Sequence, residues 1–251
     1  MIRLTLQEVA NAIDGRLLNE SFGDVVVTAS VETDSRLVRQ GSLFFAKPGE
    51  VTDGHLFVAG AGKSGAVGAV VEREVTDASE VPQILVADVV LALGKLAKFV
   101  LEQLRRETDL QVIGITGSNG KTTTKNMLRA ILSTAGSTIA PIESYNNEVG
   151  APISMLQATT ETKFLVVELG AGGPGSIAYL TDIAKPNVGV MLKVGLAHVG
   201  EFGGIESTAA IKAELATALG ANDTFIFNAD DGYVREMCAL TAATKISFGT
   251  A

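Results

Sequence analysis

Ten consecutive residues limit what this chain can fold into more than any other stretch: Gly114-Ile115-Thr116-Gly117-Ser118-Asn119-Gly120-Lys121-Thr122-Thr123. Glycines at 117 and 120 let the backbone turn where a Cβ would clash. Such a turn aims several N–H groups at one point, against the positive end of the helix that follows. Lys121 adds a full charge for the β- and γ-phosphates of a nucleotide, and the Thr122 hydroxyl suits Mg²⁺. Gly117, Ser118, Asn119, Gly120, Lys121, Thr122 and Thr123 are therefore the expected nucleotide contacts. The spacing departs from strict G-x-x-x-x-G-K-[ST], because Ile stands at 115 and the glycine falls at 114. A bare glycine-rich βα turn could use the same glycines. An apolar strand before, a helix after and Lys-Thr at its start favour the phosphate loop.

From residue 110 onward the pattern strand, glycine loop, helix repeats. Residues 112–116 read as a short buried strand and 121–135 as a helix with Met127, Leu128, Ile131 and Leu132 inward. Apolar runs at 164–167, 188–192 and 225–227 lack polar alternation, which indicates strands covered on both faces and hence a parallel sheet. Helices near 148–157, 175–181 and 206–219 would supply the crossovers. The fold class is α/β, with a doubly wound parallel-sheet domain. The stretch before it reads as a smaller α/β unit. Its helix over 6–13 is capped by Thr5 and stopped at Gly15; apolar runs follow at 25–27, 43–45, 67–71 and 84–86, with a helix over 55–63. Leu93, Leu96, Ala97, Val100, Leu101 and Leu104 mark one face of a further helix, 91–107. The boundary is placed there, giving domains 1–88 and 89–251.

In a parallel sheet every strand opens its carboxyl end on the edge that carries the phosphate loop. Glu168 ends the run Phe164-Leu165-Val166-Val167, so it is placed to bind Mg²⁺, a cation that prefers oxygen. A carboxylate capping the next turn is the plainer alternative. His198 follows the run 188–192 closely enough to reach the same edge, for a metal or phosphate. Lys212 lies on the first half of a helix, where a lone lysine is usually solvated.

Composition removes other classes. The net charge is −8, from 20 basic and 28 acidic residues, with no Trp and no basic run, so no nucleic-acid partner is expected. One cysteine, Cys238, excludes an intramolecular disulfide framework, and two histidines exclude a histidine cage. No apolar stretch reaches the ~20 residues of a membrane helix, and Met1-Ile2-Arg3-Leu4-Thr5 does not read as a secretory signal. No membrane insertion and a cytoplasmic location are expected.

The string Gly114 to Lys125 resembles the ATP loop of the Mur ligases, which build the peptide of bacterial cell-wall precursors. Asn146-Asn147-Glu148-Val149-Gly150-Ala151-Pro152, Val167 to Ala171, Val194 to His198 with Glu201-Phe202-Gly203, and Asn228-Ala229-Asp230-Asp231 are similar to the member that adds D-alanyl-D-alanine. Thr33 to Arg36, Gly41 to Ala46 and Asp53-Gly54-His55 resemble the family's UDP-binding domain. The resemblance implies that ATP and Mg²⁺ convert the terminal carboxylate of UDP-N-acetylmuramoyl-tripeptide to an acyl phosphate, which the amine of D-alanyl-D-alanine attacks. It implies catalytic roles for Lys121, Glu168, His198 and Lys212, and metal roles for Thr122, Glu168, His198 and Lys212, the last as a carbamate. Asn146 and Asn147 match a motif near the γ-phosphate, and Ser35, Arg36, Lys47 and His55 match positions near the nucleotide sugar. Turn chemistry alone could account for the run 33–36, and His55 could be only a loop histidine.

Two departures stand out. Lys193 occupies a place where the family usually carries asparagine. The chain ends at Ala251, whereas family members continue into a third domain for the incoming amine. A piece of a longer protein, inactive as a ligase by itself and monomeric, is expected. Three alternatives remain: the ligase that adds the third, diamino acid residue; a non-ligating nucleotide-binding homologue; and a small-molecule kinase or ATPase on the same loop.

Overall fold

Strand and helix alternate along the computed structural model, which describes residues 1–49, 52–141, 145–195 and 203–250. The chain divides into two units, 1–103 with 156–159, and 104–155 with 160–251.

In the first unit the order is β1 (Leu4–Thr5), α1 (Leu6–Ala12), β2 (Arg16–Leu17), β3 (Val26–Val27), β4 (Val31–Glu32), β5 (Leu43–Phe45), α2 (Val58–Lys63), β6 (Gly68–Val71) and β7 (Gln83–Leu85). Helix α1 starts on a reciprocal capping box: the Glu8 amide donates to Thr5 Oγ1 at 3.1 Å, and the Thr5 amide donates to the Glu8 carboxylate at 2.8 Å. Strands β4, β5, β6 and β7 pair in parallel, β2 closes that sheet antiparallel on β7, and β1 pairs antiparallel with β3. Phe44, Ala46, Val58, Ala61, Ala69 and Val71 form its core. The helix expected over 55–63 is split: a 3₁₀ turn, Gly54–Phe57, precedes α2.

Helix α3 (Val89–Glu107) links the units along the chain, with the expected apolar face buried. The second unit then runs β8 (Gln111–Thr116), α4 (Lys121–Leu132), β9 (Thr138–Ile139), α5 (Gly150–Met155), β10 (Phe164–Glu168), α6 (Ser176–Ala184), β11 (Val188–Met191), α7 (Ile205–Ala218), β12 (Thr224–Asn228), α8 (Gly232–Met237) and β13 (Thr244–Phe248). Its six strands form one parallel sheet in the order β9-β10-β8-β11-β12-β13. This is the doubly wound arrangement that the apolar runs predict. Chain order reverses at β8, whose neighbours β10 and β11 belong to opposite windings, so the switch point opens beyond the carboxyl ends of these three strands.

One expectation for α4 is corrected. Leu128 and Leu132 pack on the sheet, but Met127 and Ile131 are 61% and 63% exposed. The inward stripe is Lys125, Leu128 and Leu132, at the spacing of three and four that defines a helix face. A charged residue leads that stripe, and it turns the two apolar neighbours to the outside. No helix among the described residues is long and apolar enough to cross a membrane.

Candidate functional site

The loop between β8 and α4 turns at Gly120, whose φ of +87° is left-handed and strained for any side chain. Gly117 is needed for close approach: a Cβ there would meet Leu192 Cβ at 2.9 Å and the Lys193 amide nitrogen at 3.2 Å. The amides of Asn119, Gly120, Lys121 and Thr123 donate to no backbone carbonyl among the described residues. They are the orphan donors of a helix start, free to meet an anion. Ser118 differs. Its amide donates to the Lys193 carbonyl at 2.8 Å, and its hydroxyl is bonded to Gly195. Lys121 Nζ folds back onto the Gly117 carbonyl at 2.8 Å, and burial lowers its pKa against the opposing pull of Glu168.

Glu168, at the end of β10, is buried, and α4 approaches both of its oxygens, Oε2 through a hydrogen bond and Oε1 through an ion pair without hydrogen-bond geometry. Thr122 Oγ1 donates to Oε2 at 3.2 Å, and Lys125 Nζ lies 3.0 Å from Oε1. The facing oxygens of Thr122 and Glu168 suit Mg²⁺. Adjacent corners of an octahedron with ligands at about 2.1 Å lie roughly 3 Å apart. No cluster of three His, Cys, Asp or Glu that could hold a metal exists among the described residues. That donor set fits a cation completed by phosphate and water rather than a closed protein cage.

A cavity of about 260 Å³ opens over this edge, lined by Gly117, Lys121, Asn146, Asn147, Gly170 and Lys212 among others. Asn147 Oδ1 caps α5, accepting the amides of Val149 and Gly150 at 3.3 and 2.8 Å. Asn146 offers its carbonyl to the Gly170 amide at 2.8 Å. Lys212, read from sequence as a solvated helix position, is instead 3% exposed on α7. Burial, then the neighbouring Lys121 charge, lowers its pKa to about 8. Its ammonium has no hydrogen-bond or ion-pair partner among the described residues. His198 lies outside the described residues. Sequence reasoning missed Lys125 and Asp231. Asp231 caps α8 through the Val234 amide and also accepts the Val194 amide at 3.0 Å. Only a lysine three residues beyond Thr122, on the stripe of Leu128 and Leu132, could have signalled the first.

In the first unit Arg36 is exposed and forked onto Asp34, holding that carboxyl down to about 2. Ser35 and Lys47 are half-buried. His55 is 3% exposed: its Nδ1 meets Asp53 Oδ1 at 2.7 Å, and its Nε2 accepts the Glu72 amide at 2.9 Å. Both ring nitrogens are thus engaged within the protein, and Asp53 is also paired with Arg73.

The family model described as the Mur ligase middle domain matches residues 115–251, and that described as the Mur ligase family catalytic domain matches 28–100. The chain is 41% identical to the UDP-N-acetylmuramoyl-tripeptide–D-alanyl-D-alanine ligase of Mycobacterium leprae, over 98% of this chain and 52% of that protein. It is 36% identical to the ligase of the same name from Escherichia coli, over 92% and 49%. Among solved structures, a crystal structure of MurF from Acinetobacter baumannii superposes with TM-score 0.90 at 35% identity, covering 100% of this chain and 54% of that one. MurF ligase from Thermotoga maritima in complex with ADP gives 0.78 at 34% identity, covering 89% and 51%. The chain spans about half the length of the curated relatives it matches.

Proposed function

Because the chain belongs to the Mur ligase family, we propose that it serves ATP-dependent amide bond formation, joining D-alanyl-D-alanine to UDP-N-acetylmuramoyl-tripeptide through an acyl phosphate. The observation that carries this reading is the convergence, at the switch point of one parallel sheet, of the phosphate loop, the Thr122–Glu168 oxygen pair and the buried Lys212. The names of the relatives support this ligase rather than the one that adds the third residue.

In this reading the amides of Asn119, Gly120, Lys121 and Thr123, with the Lys121 ammonium, cradle the phosphates of ATP and offset charge on the transferring group. A carboxylate oxygen of the tripeptide forms a bond to the γ-phosphorus as the bond to the ADP oxygen breaks. The amine of D-alanyl-D-alanine then attacks the acyl carbon, loses a proton, and phosphate leaves. Mg²⁺, when bound, supplies positive charge to the phosphates. Thr122 and Glu168 would hold it, with His198 and a carbamylated Lys212 as further ligands. Asn147 caps a helix, which leaves Asn146 as the better placed of the pair to reach the γ-phosphate. The domain 1–88 would take the UDP-linked substrate, with Ser35, Arg36 and Lys47 near the nucleotide sugar, while His55 braces the Asp53-Gly54 turn whose Gly54 amide bonds the Lys47 carbonyl. The domain 89–251 would take ATP. A cytoplasmic location suits such water-soluble substrates, and the protein is taken to act as a monomer.

Calorimetric titration with the UDP-linked tripeptide, the UDP-linked dipeptide and UDP tests the reading. The tripeptide should bind more tightly than either control. A folded sample that binds none of the three would overturn the proposal and turn attention to a kinase or ATPase.

A further inference from the structure

Helix α4 grips Glu168 twice, from Thr122 and Lys125, at the i, i+3 spacing of one helix face. The lysine is the unexpected partner. Its side chain is 1% exposed, the Glu168 side chain is 2% exposed, and Nζ lies 3.0 Å from Oε1. A methionine or leucine at 125 would simply extend the apolar stripe of Leu128 and Leu132, and replacing a buried ion pair by apolar groups is often neutral or stabilising for a fold. Packing alone therefore does not call for a charge here. Nor does phosphate binding, since Lys121 already folds over the loop and lines the cavity, whereas Lys125 does not.

We propose that Lys125 is a positioning residue: it offsets the buried Glu168 charge and fixes the rotation of the carboxylate so that Oε2 stays opposite Thr122. The terminal torsion of a glutamate is broad. The single hydrogen bond from Thr122 would let the carboxylate swing, and the charge of an ammonium 3.0 Å from the opposite oxygen restrains it. Outer partners of this kind orient the groups that hold a metal and set their affinity. The inference rests on the reading of Glu168 and Thr122 as the oxygens that take Mg²⁺ with the nucleotide.

The test is the affinity of the chain for ADP with and without Mg²⁺, by calorimetry. In the wild type Mg²⁺ tightens ADP binding. Lys125→Met should bind metal-free ADP as the wild type does, while the gain from Mg²⁺ falls by about 10- to 100-fold or vanishes. Lys125→Arg, which keeps a cationic donor, should recover most of that gain. A folded Lys125→Met protein with the full Mg²⁺ gain overturns the inference, because a purely structural pair would behave so. The reading beneath it fails differently: wild-type ADP binding would be indifferent to Mg²⁺. Should Lys125→Met unfold or lose metal-free ADP binding, the decision passes to the wild-type protein labelled with ¹⁵N-lysine. The Lys125 ammonium resonance, identified by its loss in Lys125→Arg, should shift when Mg²⁺ joins bound ADP. A resonance that stays in place overturns the inference.

Discussion

Ser118 and Gly195 exchange two hydrogen bonds: the Gly195 amide donates to Ser118 Oγ at 2.8 Å, and that hydroxyl donates back to the Gly195 carbonyl at 3.2 Å. With the Ser118 amide on the Lys193 carbonyl, the phosphate loop is fastened to the segment leaving β11. Asp231 secures the residue between, through the Val194 amide. The loop is held in its binding shape before any anion arrives, which is where preorganised donors gain their advantage. The Ser118 side chain, a nucleotide contact by motif, acts here as a fastener.

Replacing that fastener has a measurable cost. Ser118→Ala removes both side-chain bonds, and the looser loop should bind ADP about 1 kcal/mol more weakly, close to fivefold. Hydrogen exchange at the Gly195 amide should rise in parallel. Unchanged exchange with unchanged affinity would show that the clamp contributes nothing to the site.

Lys121→Ala separates the two ligand classes. The substitution removes the one charged donor that lines the loop side of the cavity, and charge-assisted bonds are worth about 1.5–3 kcal/mol, or roughly 10- to 100-fold in ADP affinity. Binding of a UDP-linked compound to the first domain should not change. Normal ADP affinity in the variant would remove Lys121 from the phosphate site.

Much of this site was legible because its chemistry is local. A strand, two glycines and Lys-Thr read as a phosphate loop at any depth, and Glu168 falls on the catalytic edge by the geometry of parallel strands alone. Met127 and Ile131 were misread, Lys125 was given no role and Lys212 reached the site only through the family resemblance, all for a common reason. Pattern reading sends charges outward and apolar side chains inward, and it cannot see a partner supplied from another strand. Glu168 stands 43 positions beyond Lys125 yet draws it inside. The edge strands were missed on other grounds: β2, β4 and β9 have two residues each, too few for any periodicity. The outermost strand, β13 (Thr244–Phe248), is exposed throughout, yet Lys245 to Phe248 reads as strand-like from the sequence.

His55 offers a check on the first unit alone. His55→Ala strands the Glu72 amide and leaves a void among buried neighbours, so that unit should lose about 2–4 kcal/mol in urea unfolding. ADP affinity should be untouched. An unaltered midpoint would mean that the Asp53–His55–Glu72 chain of bonds does not hold the loop.

Lys212 carries a pH signature whose sign follows from its burial. Its pKa falls from the ordinary 10.5 to about 8 in the folded chain. Below about pH 8 folded and unfolded chains both carry the proton, and the folded state bears the full cost of a buried cation, on the order of 3 kcal/mol. Between about 8 and 10.5 the unfolded chain binds more protons, so stability rises with pH across that window. Lys212→Met should therefore be more stable than wild type at pH 7, by up to about 3 kcal/mol, and should lack that rise. Urea unfolding in bicarbonate-free buffer at pH 7 and near pH 10 measures both. A variant that keeps the wild-type slope would show that this ammonium is not the one strained by burial. Added ¹³C-bicarbonate should give the wild type, and not the variant, a carbamate resonance that grows as the neutral amine fraction grows with pH. Its absence would remove Lys212 from the proposed metal ligands.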